Sequence, residues 1–253
     1  MATRIATLDQ LQYLIAFPFD DPKWKQKLAV GLAFVIAGFL IPILPFLFIA
    51  GYMAQLMRSV IDAPGRPSLP EWADWGEMLL RGLRVTASWL IVFFPSIILF
   101  VIGYLIMMAP ALALDSAEMG DAELGRLVML QFGGLAVGML LFGLGMLLLL
   151  GLAFFLPGAI THVVATDRFG ALFQFSQWWP IMRANLAGFL LADLLVIGVT
   201  YLGMALAYIF YFSVVLCCLF PIAIGVVSVY IGLVAAAAFG QAYRVGRQKL
   251  GQG

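Results

Sequence analysis

Charge is scarce in this sequence. Lys, Arg, Asp and Glu make up 11% of the 253 residues and hydrophobic residues 64%, and the mean hydropathy is +1.06. An average soluble domain is roughly 25% charged, and a chain this apolar could not cover its surface in water. The bilayer has to be the solvent. A net charge of +1 provides neither a basic face for nucleic acid nor an acidic field to steer cations, so nucleic acid is not expected as a partner.

Cysteine and histidine are nearly missing as well. Cys217 and Cys218 are adjacent in an apolar run, with no CxxC and no neighbouring His. That rules out a disulfide framework or a zinc site and makes them lipid-facing or core residues. Nucleophile elbow, HExxH, P-loop and dinucleotide fingerprint are all absent from the sequence,. The segments that must meet water are too short for a soluble catalytic domain, so no enzyme is expected and no catalytic or metal-binding residue is assigned. The N-terminus lacks a charged region running directly into an apolar core and a small-residue cleavage site. Insertion is therefore expected to be directed by the transmembrane helices rather than by a cleaved signal peptide.

What is present is a set of long apolar runs around one polar stretch, RSVIDAPGRPSLPEWADWGEMLLRGLR, from Arg58 to Arg84. Four Arg and four acids sit there with Trp72 and Trp75, the pattern of a loop at a membrane surface. Before it, residues 1–27 read as interfacial helices. Ile5, Leu8, Leu11, Leu14, Ile15 and Phe17 recur at helical spacing opposite Asp9, Gln10 and Gln12,. Asp20 or Asp21 can cap a second helix with Pro22 in its first turn. Trp24 with Lys23, Lys25 and Lys27 then forms an aromatic and basic anchor at headgroup level,.

Residues 28–57 carry no charge, but Pro42 and Pro45 fall in the middle. A straight helix of that length would be about 45 Å long, against a hydrocarbon core of roughly 30 Å. Basic residues flank the run on both sides, Arg4, Lys23, Lys25 and Lys27 before it and Arg58, Arg66, Arg81 and Arg84 after it. One crossing cannot place both flanks in the cytoplasm, so the positive-inside rule favours a proline-broken hairpin over a fifth span.

Within 58–84, Asp62–Pro67 and Leu69-Pro70 are turn chemistry, followed by a surface helix with Trp72, Trp75, Met78, Leu79 and Leu83 at helical spacing. Clear spans are expected at 85–114, kinked at Pro95 and stopped near Pro110, and at 127–156, ended by Pro157-Gly158. The acidic segment from Asp115 to Arg126 is placed outside. Residues 159–185, with Arg168 and Arg183, return to the basic side, and 186–212 and 218–243 are two further spans. Arg244, Arg247 and Lys249 end the chain in the cytoplasm,. The expected fold is an all-α integral membrane protein in one transmembrane domain: four clear transmembrane helices, the hairpin and interfacial amphipathic helices.

Phe17-x-Phe19, Trp24 and Lys27 before one apolar run are echoed by Phe173-x-Phe175, Trp178-Trp179 and Arg183 before another. An internal repeat would produce this, and so would the aromatic-then-basic order common to membrane-entering helices.

Five blocks carry a family resemblance: FPFDDPKWKQKL from Phe17, GYMAQLMRSV from Gly51, LPEWADWGEMLLRG from Leu69, FQFSQWWPIMRAN from Phe173 and GQAYR from Gly240. In this order they resemble the prokaryotic membrane family known as domain of unknown function 4013, over nearly the whole chain. The resemblance implies the cell membrane of a bacterium or archaeon. It carries no activity and no functional residue.

Three features could carry chemistry or assembly. Asp193 is the only acid inside an expected span, and an unpaired carboxylate there costs several kcal/mol. It reads either as a hydrogen-bonded or headgroup-level acid or as a proton or cation site. His162, the single histidine, could ligate a haem or chlorophyll-type pigment, but with no second ligand the ordinary reading is an interfacial polar residue. Gly232, Ala236 and Gly240 form a small-residue ridge, extended by Gly225 and Ser228, and Gly134 and Gly138 form a shorter one. Such ridges pack helices within a bundle or against another subunit. Trp24, Trp72, Trp75, Trp178 and Trp179 are the expected interfacial anchors.

Two functions follow as expectations. The first is a non-catalytic subunit or scaffold of a larger membrane assembly, with membrane lipids and other subunits as partners. The alternative is a transporter or channel for a small or lipophilic solute, with the break at Pro42–Pro45 and Asp193 as gate or site.

Overall fold

The computed structural model describes residues 8–63, 65, 67–112, 120–213 and 216–251, and among them there is no strand. Eight α-helices follow in order among the described residues: α1 (Leu8–Ala16), α2 (Trp24–Leu40), α3 (Leu44–Asp62), α4 (Trp75–Leu112), α5 (Asp121–Thr166), α6 (Phe175–Ala184), α7 (Leu186–Phe212) and α8 (Phe220–Lys249). Five of them, α3, α4, α5, α7 and α8, include stretches long and apolar enough to cross a membrane. The chain is an all-α multi-pass membrane protein. Arg4, Ile5, Arg66, Asp115 and Glu118, used above to argue topology, lie outside the described residues.

Two expected boundaries move. The surface helix from Trp75 and the following span are one helix, α4, which runs on through Pro95 and Pro110 to Leu112. The second long span does not end at Pro157 either, because α5 continues to Thr166. A proline removes one backbone hydrogen bond, whereas ending a helix frees four carbonyls that lipid cannot receive. Continuing is the cheaper choice. At about 1.5 Å per residue α4 and α5 are roughly 57 and 69 Å long, so both outrun the hydrocarbon core.

The chain divides into two compact units. In the unit Trp89–Leu156, the later part of α4 and the earlier part of α5 pack as an antiparallel pair. The pair closes at two glycines: a Cβ on Gly103 would lie 3.1 Å from the Gly138 carbonyl, and one on Gly145 would lie 2.8 Å from the Phe100 ring. Met129, Phe132, Leu147 and many other apolar side chains point outward, as suits helices solvated by lipid.

The other unit, residues up to Ser88 and from Pro157 onward, is built around α8. Ala236, Ala237 and Ala238 are successive and all buried. Side chains 100° apart on a helix are enclosed together only if neighbours surround it. The apolar run 28–57 is two helices, α2 and α3, broken at Ile41–Ile43. There Leu44 N–H bonds Pro42 C=O at 2.9 Å across Ile43 with φ 75°, a γ-turn. The arms run antiparallel, with Phe34 against Phe48 and Gly38 against Phe46. Backbones of neighbouring helices meet closely at glycines in this unit. A Cβ on Gly51 would collide with the Met78 carbonyl, one on Gly82 with the Leu47 carbonyl, and one on Gly246 with the Ile181 carbonyl.

A buried cation fixes the loop after α3. Lys27 is 7% exposed, and its Nζ donates to Asp21 Oδ2 at 2.8 Å and Leu69 O at 2.8 Å and lies 3.1 Å from Glu71 Oε1. Trp72 Nε1 donates to the Lys27 carbonyl at 3.0 Å, and its ring stacks on Tyr52 at 4.0 Å. The Lys27 hydrogen bond holds the Asp21 carboxyl below its ordinary range. Burial opposes the Lys27 charge, but Asp21 and Glu71 outweigh it and raise the ammonium above its usual value.

Two predictions follow for stability in detergent. Gly51→Leu or Gly82→Leu is expected to cost about 3 kcal/mol through overpacking, while Gly198→Ala, where nothing lies within 4 Å, leaves the thermal midpoint unchanged or higher. Lys27→Met strands two carboxylates and is expected to cost about 3 kcal/mol. The wild-type contribution of this pair is fully present above about pH 4 and is lost as pH falls through the lowered Asp21 value. It is also lost as pH rises through the raised Lys27 value, beyond about pH 10. Equal pH profiles for wild type and Lys27→Met would contradict this.

Candidate functional site

The end of α5, from Pro157 to Asp167, carries functional groups on two faces. Residues three and four apart share a helix face, so His162, Ala165 and Thr166 look one way and Val163, Val164 and Asp167 another. The first face lines a cleft of about 430 Å³ with Ser176 and Gln177 of α6 and Tyr243 and Arg247 of α8. The second meets arginines from α3 and α4.

In the cleft, His162 is 5% exposed, and its Nδ1 lies 2.6 Å from the Tyr243 hydroxyl. Tyr243 is itself buried. With the Tyr243 proton directed at Nδ1, Nε2 carries the N–H of a neutral ring; with Nδ1 protonated, the phenol oxygen accepts instead,. Nε2 is buried without a hydrogen bond, and the side-chain amides of Gln174 and Gln177 are the ring's further polar neighbours. A haem or chlorophyll-type pigment would have to bind through Nε2 and displace these neighbours. Among the described residues no three His, Cys, Asp or Glu side chains converge as a metal site.

On the other face, Asp167 has φ 54°, the left-handed conformation that ends helices and that Asp tolerates. Its carboxylate takes Arg84 through Oδ1 and Arg58 at 3.4 Å through Oδ2. Arg58 also pairs with Asp62 at 3.5 Å, and Arg81 with Glu77. These pairs neutralise one another around a space of only about 10 Å³. They lock the ends of α3 and α5 to the start of α4 and leave no room for a ligand.

The residues singled out from the sequence are scattered. Asp193, about two turns into α7, is half-buried and forms no hydrogen bond or ion pair among the described residues. Gly232 and Gly240 face α3, where added Cβ atoms would lie 2.9 Å from Met53 Cε and 2.9 Å from Met57 O, and Ala236 is buried. Gly225 faces Leu32 and Val35 of α2. This ridge is therefore occupied within the chain.

The expected anchors differ in exposure. Trp178 is buried and donates its Nε1 to Leu172 O at 3.1 Å, and Trp72 is half-buried against Tyr52 and Lys27. Trp75 is exposed, and Trp24 and Trp179 are half-buried. Tyr243, Gln177, Arg247 and Asp167 were not expected from the sequence. Tyr243 lies inside the GQAYR block, but nothing in the spacing announces that it meets His162, 81 residues away.

Tyr243→Phe, which removes the hydrogen bond to His162, is expected to lower stability by about 1–2 kcal/mol. Asp193→Asn, at a residue without a partner among the described residues, is expected to leave the thermal midpoint in detergent unchanged or raised. A comparable fall in both variants would mean that Asp193 has a structural role within the chain.

No curated protein and no solved structure matches the chain. A family described as a protein of unknown function matches residues 34–212. That match covers more than two thirds of the sequence and leaves out the first and last of the five blocks quoted above, so the likeness is confined to the part from Phe34 to Phe212. The chain belongs to the domain of unknown function 4013 family.

Proposed function

We propose that this protein is a non-catalytic integral membrane subunit, or scaffold, of a larger membrane assembly, seated in a prokaryotic cell membrane with its C-terminus in the cytoplasm. The observation that carries the reading is Asp193. A carboxylate at membrane depth without a partner among the described residues is costly, and lipid tails offer it nothing. A basic or polar side chain on another membrane protein would. Beside it, Leu190, Leu194, Ile197 and Tyr201 form an exposed stripe on α7, so the acid is reachable from outside the bundle.

The orientation rests on charge. Contacts gather the ends of α3, α5 and α8 and the start of α4: Arg58 and Arg84 share Asp167, and Arg244 donates to Val60 O at 2.8 Å. By the positive-inside rule this end faces the cytoplasm. The hairpin of α2 and α3 then starts and finishes on that side. α3 is long enough to cross when its charged last turn is counted, but Leu28–Leu40 and Leu44–Met57 are each only about 20 Å long, which suits a re-entrant hairpin.

The rival reading is a transporter gated at Pro42–Pro45 and Asp193. Purification from native membranes in mild detergent decides between them. A defined complex with other chains is expected, which Asp193→Asn loses while its own fold survives. A lone small oligomer, with solute flux into vesicles abolished by Asp193→Asn, would replace the proposal with transport.

A further inference from the structure

The basic residues of this chain are treated in two different ways. Up to Arg84, eight basic residues face seven acids, and several of these are tied into the pairs described above. From Arg168 to the end, five basic residues, Arg168, Arg183, Arg244, Arg247 and Lys249, face a single acid, Asp193, and that one lies in α7. Among the described residues no carboxylate lines the cleft of His162, Tyr243 and Arg247. The described lining of the cleft is therefore net positive,.

The polar lining is also unfinished. His162 is 95% buried (5% exposed) and lines the cleft, yet its Nε2 makes no well-formed hydrogen bond among the described residues, with the Gln174 and Gln177 amides as its polar neighbours. An unmet donor at such burial costs about 1–3 kcal/mol. Tyr243 lies 2.6 Å from Nδ1; in the tautomer that takes the Tyr243 proton there, Nε2 presents an N–H and calls for an acceptor. Ser176 and Gln177 line the opposite wall from α6, both on its exposed face, and add a hydroxyl and an amide as further donors. Arg247 adds a guanidinium, whose fork matches the oxygens of a phosphate.

We propose that this cleft binds a phosphate group, with Arg247 as counter-charge and Ser176, Gln177 and the N–H of His162 as donors. Its surroundings favour a phosphate carried by an anionic phospholipid. Phe173 and Phe175 are exposed beside the cleft, and Phe175 stacks on Trp179 at 5.6 Å, an aromatic cluster of the kind that settles at headgroup level. A soluble phosphate ester is the other source of the same chemistry. The site does not depend on the assembly reading, since Asp193 is not part of its lining.

The full-length protein in neutral detergent, with its unfolding midpoint followed against added ligand, tests the proposal. The probes are phosphatidylglycerol, phosphatidylcholine and inorganic phosphate. Phosphatidylglycerol is expected to raise the midpoint in a saturable way and phosphatidylcholine to leave it unchanged. Arg247→Gln is expected to weaken half-saturation by about tenfold or more, and Gln177→Leu by about threefold. Arg183→Gln, the same change of charge on the same helix as Gln177 but outside the cleft lining, should stay within about twofold of wild type. Saturable stabilisation by inorganic phosphate with the same dependence on Arg247 also supports the site and assigns it a soluble ligand. Equal responses to the two lipids with none to phosphate would overturn the proposal. So would equal losses in Arg183→Gln and Arg247→Gln, or wild-type titration by both Arg247→Gln and Gln177→Leu. Should Arg247→Gln not fold, weakened half-saturation in Gln177→Leu and Ser176→Ala beside an unchanged Arg183→Gln supports the site, and wild-type titration by all three overturns it.

Discussion

Helices dissolved in lipid gain little by hiding apolar side chains from one another, because lipid tails are equally apolar. Cohesion has to come from backbones and small side chains fitting closely. In this protein the requirement falls mainly on α8. Its glycines lie against different partners: Gly225 against α2, Gly232 and Gly240 against α3, and Gly246 against the Ile181 carbonyl of α6. The run Ala236–Ala238 is enclosed between these contacts. α7 completes the ring, with Asn185 donating to Ala242 O at 2.9 Å while accepting from Lys249 Nζ at 2.9 Å. The position of Tyr243 and Arg247, and so the form of the cleft, follows from how closely α8 can be approached.

The periodic features of this fold were legible in the sequence, and the long-range ones were not. Uncharged apolar runs, the prolines at 42 and 45 and the ridge Gly232-Ala236-Gly240 are local patterns, and each has a visible counterpart in a helix, a break or a contact. Pro157 misled because its meaning depends on the solvent. In water a proline is a frequent stop, whereas in lipid the carbonyls freed by stopping have nowhere to go, so α5 continues. The hydrogen bonds of Trp72 and Trp178 were hidden for a related reason. A tryptophan beside charged residues suits the headgroup belt, but it can also pack inward where a carbonyl accepts its N–H, as Leu172 O does for the buried Trp178 and Lys27 O for the half-buried Trp72.

The candidate site was half legible. His162 and Asp193 stood out as rare polar residues in apolar surroundings. Their situations could not be read, because what separates them is the company each keeps. His162 is held by Tyr243 from another helix, and Asp193 by no described residue of this chain. The closest backbone meetings, Gly51 with Met78 and Gly82 with Leu47, were hidden in the same way. A lone glycine in a helical pattern says nothing about what approaches it until the helices cross.

The treatment of the cations links fold to function. Lys27, Arg58, Arg81 and Arg84 are matched by carboxylates, and a matched charge fixes geometry while projecting little field. Arg244 and Lys249 are instead held by carbonyl and amide oxygens, which orient a cation without cancelling it. The first group fastens the hairpin, the loop after α3 and the start of α4 into one framework. The second leaves its positive charge at the end of α8, where the positive-inside rule and an anionic leaflet act on it together. Separating the two in sequence lets one end of the molecule be rigid and still strongly cationic, which an anion-binding cleft at a membrane surface requires.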